Sequence, residues 1–179
     1  MTILYALMHL IVDLLCAWAM FGLFRDGNST DFLMYNFCAF ALQMPLGALL
    51  DLLKIRRPGA PKVMALLGCG LTVLGALTRP AVLGVGNALF HVGGGMEVIR
   101  SDFARHRQGR ELGLFVAPGA VGLYLGSQLS HGNTGLWTLL TGAAMLACIG
   151  WFLPAAPDSE MTTEKTEKSG RWLCAVSWW

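Results

Sequence analysis

The feature that most constrains this chain is a set of six apolar runs, over residues 2–24, 31–53, 63–79, 81–99, 111–130 and 136–153, separated by short polar gaps. A helix that crosses a bilayer needs about 17 to 25 mostly apolar residues, and each run falls in that range. The pattern predicts an all-α membrane protein with six transmembrane helices, filling residues 1–153 as one domain. Composition agrees. Hydrophobic residues make up 55% of the chain and charged ones 13%, and the mean hydropathy is +0.55, too apolar for an ordinary soluble domain. The net charge of +2 carries little weight because the charges sit in the gaps, and nothing in it supports nucleic-acid binding.

The gaps read RDGNST, KIRRPGAPK, TRP, RSDFARHRQGR and HGNTG, with Gly and Pro punctuating nearly all of them. Lys54, Arg56, Arg57 and Lys62 lie in the second gap, and Arg100, Arg105, Arg107 and Arg110 in the fourth. The remaining gaps hold only Arg25 and Arg79. By the positive-inside rule the second and fourth gaps face the cytoplasm, so six spans put both termini there in a multi-pass protein of the cytoplasmic membrane. Asn28-Ser29-Thr30 is formally a glycosylation sequon on the opposite side, where a single match carries little weight. The first run lacks a basic leader and contains His9 and Asp13, which marks it as an uncleaved first helix rather than a signal peptide.

Residues 154–171 break the composition, being mixed in charge and rich in Thr and Ser, and read as a flexible cytoplasmic linker. Residues 172–179 form an apolar, aromatic stub too short to span. The stub fits the opening turns of a seventh helix and, equally, an interfacial anchor carried by Trp172, Trp178 and Trp179. Cys16, Cys38, Cys69, Cys148 and Cys174 are widely spaced inside apolar stretches and are expected to be small core residues.

Asp13 stands out because a carboxyl near the middle of a membrane helix costs about 2.5 to 3.5 kcal/mol on insertion scales. His9 lies one turn before it on the same face, where an imidazole can share a proton with the carboxylate. The competing reading is a buried polar pair that only locks helices together. Asn87 and His91 repeat the i, i+4 spacing in the fourth run, with Gly95 a turn further along that face. ALFHV at 88–92 echoes ALMHL at 6–10. The echo falls on the first helices of two successive three-helix units, and an odd number of spans makes such units opposite in orientation. Inverted repeats with polar residues at the midplane are a transporter signature. Glu97 lies elsewhere around the fourth helix, and its simplest partner is Arg100 at i+3. The run Gly93-Gly94-Gly95 is best explained by close helix packing.

GALLDLLKIRR at 47–57 resembles the loop motif of the major facilitator superfamily, in which a glycine permits close packing and an aspartate with basic residues forms a cytoplasmic charge latch. The resemblance implies that role for Gly47, Asp51, Lys54, Arg56, Arg57 and Arg100, although Leu52 stands where a basic residue is expected and the later glycine is missing. GLFVAPGAVG at 113–122 is similar to the glycine-proline motif of antiporters in that family, matching at Gly113, Pro118 and Gly122, with Ala117 and Val121 in place of glycines. A proline there removes a backbone hydrogen bond and bends the helix. GVGNALFHVGGG at 84–95 with MHLIVDLL at 8–15 resembles the first and fourth helices of drug-efflux members of the fosmidomycin-resistance type. Together these matches imply one six-helix half of a major facilitator fold, built as two inverted three-helix repeats. The arginine common in the fourth helix of proton-coupled members is missing, which puts proton coupling in doubt.

The functional expectation is a half-length transporter of a small molecule, with His9, Asp13, Asn87 and His91 on the substrate or proton path. A homodimer or a missing second half would complete the cavity, and neither a metal site nor a cofactor is expected. A second class of function is a membrane redox protein in which His9 and His91 ligate one haem. A noncatalytic scaffold is a third, and a nonfunctional fragment of a twelve-helix protein a fourth. An enzyme is not expected, and intramembrane proteolysis in particular finds neither G-x-S-x-G nor H-E-x-x-H in the chain.

Overall fold

The structure, a computed structural model, describes residues 1–25, 29–54, 59–132 and 135–153. The described residues form six helices and no strands: α1 Thr2–Leu23, α2 Ser29–Leu52, α3 Ala60–Thr78, α4 Pro80–Ala104, α5 Arg110–Leu129 and α6 Gly135–Trp151. Five of them are long and apolar enough to cross a membrane. The sixth, at 17 residues, is apolar but sits at the short limit of a spanning helix. The last turn of α1, Ala19–Leu23, and a turn inside α2, Phe37–Ala41, widen to π-helical winding. The linker at 154–171 and the stub at 172–179 lie outside the described residues, as do Asn28, Arg56 and Arg57.

Helices follow one another by short links. Arg79, extended at φ −151° and ψ 144°, ends α3 and begins α4 in a single residue, as the proline after it requires. The fourth helix runs further than hydropathy predicts, through Ala104, so the fourth gap shrinks to a tight turn. Asp102 explains the difference. Its carboxylate accepts hydrogen bonds from the backbone N–H of Gly109 at 2.7 Å and of Glu111 at 2.9 Å, satisfying donors at the start of α5 from the preceding helix. The chain between reverses through positive φ at His106, Gln108 and Gly109. Hydropathy sees a mostly polar stretch there and cannot distinguish a helix that protrudes from a loop.

Thr2 at the start of α1 donates to Glu111 at the start of α5 at 2.6 Å. Gly22 near the end of α1 lies against Ser130 just past the end of α5, so these two helices run parallel. Their seam is built on glycine: Gly122 faces the carbonyl of Leu10, and Gly126 that of Leu14, with no room for a Cβ at either. The antiparallel seam between α3 and α4 uses the same device. Gly68 and Gly75 on α3 meet the backbone at Phe90 and Leu83, while Gly86 and Gly93 on α4 meet the backbone at Thr72 and Ala65. Lipid supplies no hydrophobic drive between helices, so close backbone approach through small residues is what holds such seams. Of the glycine run in α4, Gly93 lies in this seam, Gly94 packs on the rings of Phe115 and Tyr5, and Gly95 is nearly open.

The bundle has an inside and an outside. Of the apolar stretches of α1 and α4, 72% and 61% are buried, against 17% for α2 and 22% for α5. Phe32, Leu33, Phe37, Phe40 and Met44 on α2, and Leu114, Val116, Val121 and Tyr124 on α5, present apolar side chains outward. Cys16, Cys38 and Cys69 are buried as expected of core residues, whereas Cys148 on α6 is exposed because its helix turns that face away from the bundle. Cys174 lies outside the described residues.

Candidate functional site

The two central helices bring their polar residues together. His9 and Asp13 are on neighbouring turns of α1, and their side chains meet with Nε2 to Oδ2 at 3.1 Å. From α4, the Nε2 of His91 reaches to 3.7 Å from the other Asp13 oxygen and to 2.8 Å from the Nε2 of His9. The Asn87 amide donates to Asp13 Oδ1 at 3.2 Å and to the Cys16 sulfur at 3.5 Å. Four residues chosen from their spacing therefore form one cluster, near the middle of α1 and α4. His9, Asp13 and Asn87 are buried, while the His91 side chain retains 22% exposure and forms the open side.

The outer nitrogens of both rings are held by backbone. His9 Nδ1 lies 2.8 Å from the Phe115 carbonyl on α5, and His91 Nδ1 lies 2.9 Å from the Asn87 carbonyl one turn back on its own helix. A carbonyl oxygen only accepts, so each Nδ1 carries the hydrogen and donates. In the neutral rings each Nε2 is then a bare lone pair directed at the cluster. The His9 ring packs on Phe115 with centroids 4.5 Å apart and stands edge-on to His91 at 4.5 Å. Gly119 on α5 closes the remaining wall: a Cβ there would strike the His9 ring and the Asp13 carboxylate. The ligand atoms of His9, Asp13 and His91 all lie within 4.8 Å of one another, the one such group of metal-ligating side chains among the described residues. The two motifs, 82 residues apart, meet only where α1 packs on α4.

The sequence pattern missed the contribution of α5. Phe115 and Gly119 fall inside the glycine-proline stretch but are not its matched positions. Of those, Gly122 sits in the α1 seam, while among the described residues nothing lies within 4 Å of where a Cβ would sit at Gly113. Pro118 is contained in α5, which continues through it. Gly119, adjacent to Pro118, was the available signal. Cys16 was legible only as a core residue.

The residues of the resembled charge latch lie partly outside the described residues. Nothing lies within 4 Å of a Cβ at Gly47, so it is not a close-packing point among the described residues. Asp51 is exposed, Arg56 and Arg57 lie outside the described residues, and only the backbone of Lys54 is described. Arg100 ion-pairs with Glu97 at 3.2 Å. That pair is a second polar feature on α4. Glu97 is 1% exposed, and neither its Oε2 nor the buried Tyr5 hydroxyl has a hydrogen-bond partner among the described residues.

No family model matches the chain, and no curated protein or solved structure matches it. The chain is thus placed by its own architecture, as an all-helical protein with several helices suited to a membrane.

Proposed function

We propose that the chain is a half-length membrane transporter of the major-facilitator type, moving a small molecule across the cytoplasmic membrane with both termini on the cytoplasmic side. One observation carries this reading: His9, Asp13, Asn87 and His91, from two different helices, converge near the middle of their spans with one side open. Ionisable groups at that depth mark substrate and ion pathways rather than lipid-facing surface. Inverted three-helix units are part of this proposal. An exchange of α1–α3 with α4–α6 maps the contact of α1 on α5 onto that of α4 on α2, and both contacts exist. Binding at the cluster biases the inward or outward state only by its differential affinity for the two.

Six helices form one wall of such a path, and the exposed apolar faces of α2 and α5 suit a second copy. Mass measurement in mild detergent is expected to give a dimer. The mechanism is tested by Asp13→Asn in membrane vesicles. Substrate movement should be lost while the protein remains in the membrane, and unchanged transport would sink the proposal.

The haem reading gains no support from the geometry. Two axial nitrogens on one iron stand about 4 Å apart, twice a metal–nitrogen bond, with a macrocycle between their rings. The two Nε2 atoms here touch at 2.8 Å. A Soret band in the purified protein would reverse this preference.

A further inference from the structure

We infer that His9, Asp13 and His91 form a binding site for a divalent transition-metal ion of the zinc class. The site stands on its own geometry, whether or not the chain transports anything. Three electron-rich groups point at one another: two Nε2 lone pairs at 2.8 Å and a carboxylate whose oxygens lie 3.1 and 3.7 Å from them. Both rings have their hydrogen committed outward, to the carbonyls of Phe115 and Asn87. Two bare lone pairs this close repel unless a cation lies between them.

That arrangement is the one in which proteins hold ligating histidines. The far nitrogen donates to a backbone carbonyl, which sets the tautomer and orients the ring. Asn87 does the same for the carboxylate by donating to Oδ1. In a tetrahedral site with bonds of about 2.0 Å, ligand atoms stand about 3.3 Å apart. The two Nε2 atoms stand 2.8 Å apart and lie 3.1 and 3.7 Å from different Asp13 oxygens, so a rotation of the carboxylate that turns one oxygen toward both rings completes the geometry. Two imidazoles and one carboxylate favour zinc, cobalt, nickel or copper over magnesium or calcium, which take oxygen ligands. A single negative charge and an open position beside His91 describe an exchangeable site rather than a closed structural one. Gly119 leaves the ion its space, since any side chain there would occupy it.

Cobalt(II) is a suitable probe, because low-coordinate cobalt with nitrogen ligands absorbs in the visible and magnesium does not. Titration of the purified full chain in detergent is expected to develop these bands at one equivalent, with zinc displacing the cobalt. Asp13→Asn and His91→Gln should each weaken binding by more than about 100-fold, beyond the range seen for outer-shell changes. Cys148→Ser removes the exposed thiol and should bind like the parent. His91→Gln alters the least buried of the three ligands, so it tests the site without emptying the core. Absence of the bands in folded protein would overturn the inference and leave the cluster holding a proton alone. Bands that persist in both ligand variants would overturn it too, by placing the metal elsewhere. Neither outcome depends on a transport measurement, so failure of the metal site and failure of the transport proposal are separable.

Discussion

Asp13 and Glu97 are both buried carboxylates of the central helices, and they are handled in opposite ways. Asp13 is surrounded by neutral or conditionally charged nitrogen groups from two helices: His9, His91 and Asn87. Glu97 has a permanent cation, Arg100, on one oxygen at 3.2 Å and no hydrogen-bond partner on the other among the described residues. A guanidinium keeps its charge whatever binds nearby. Imidazoles and an amide leave the charge of the site adjustable by whatever binds. The difference separates a cluster of groups whose charge can change from an ion pair with a permanent cation.

Removing the fixed cation should have the largest effect on stability. Arg100→Ala leaves the Glu97 carboxylate buried without its ion pair, and breaking such a pair costs about 3–5 kcal/mol. Thermal unfolding in detergent should register the loss, and a double variant that adds Glu97→Gln should recover most of it. If Arg100→Ala is silent, Glu97 is not held as a charge and the contrast with Asp13 collapses. Asn87→Ala comes next. It removes one donor from Asp13 while the histidines remain, so a loss of about 1–3 kcal/mol is expected. A change as large as that of Arg100→Ala would mean that Asp13 also depends on a single partner. Gly47→Ala should leave stability unchanged or raise it by up to about 1 kcal/mol, because among the described residues nothing lies near a Cβ there and alanine is the better helix former. A loss would restore the close packing expected of a charge latch.

Much of the bundle was legible before folding. Six helices follow from run lengths, and their ends fall within a few residues of the predicted ones except at α4, where Asp102 extends the helix by capping α5. The pairs His9 with Asp13 and Asn87 with His91 follow from helical spacing, as does Glu97 with Arg100. Local periodicity reports which residues share a face of one helix. It does not report which helix that face meets.

The hydropathy and spacing of this sequence by themselves determined a chain of apolar helices with costly polar residues in the first and fourth. Only the tertiary structure decided that these polar residues meet, with His9 Nε2 against His91 Nε2 at 2.8 Å and Gly119 of a third helix making room beside them. The physical reason is range. Helix formation and lipid compatibility are set by neighbours within a few turns. The cluster depends on how α1 packs against α4, within a bundle whose glycine seams join α1 to α5 and α3 to α4.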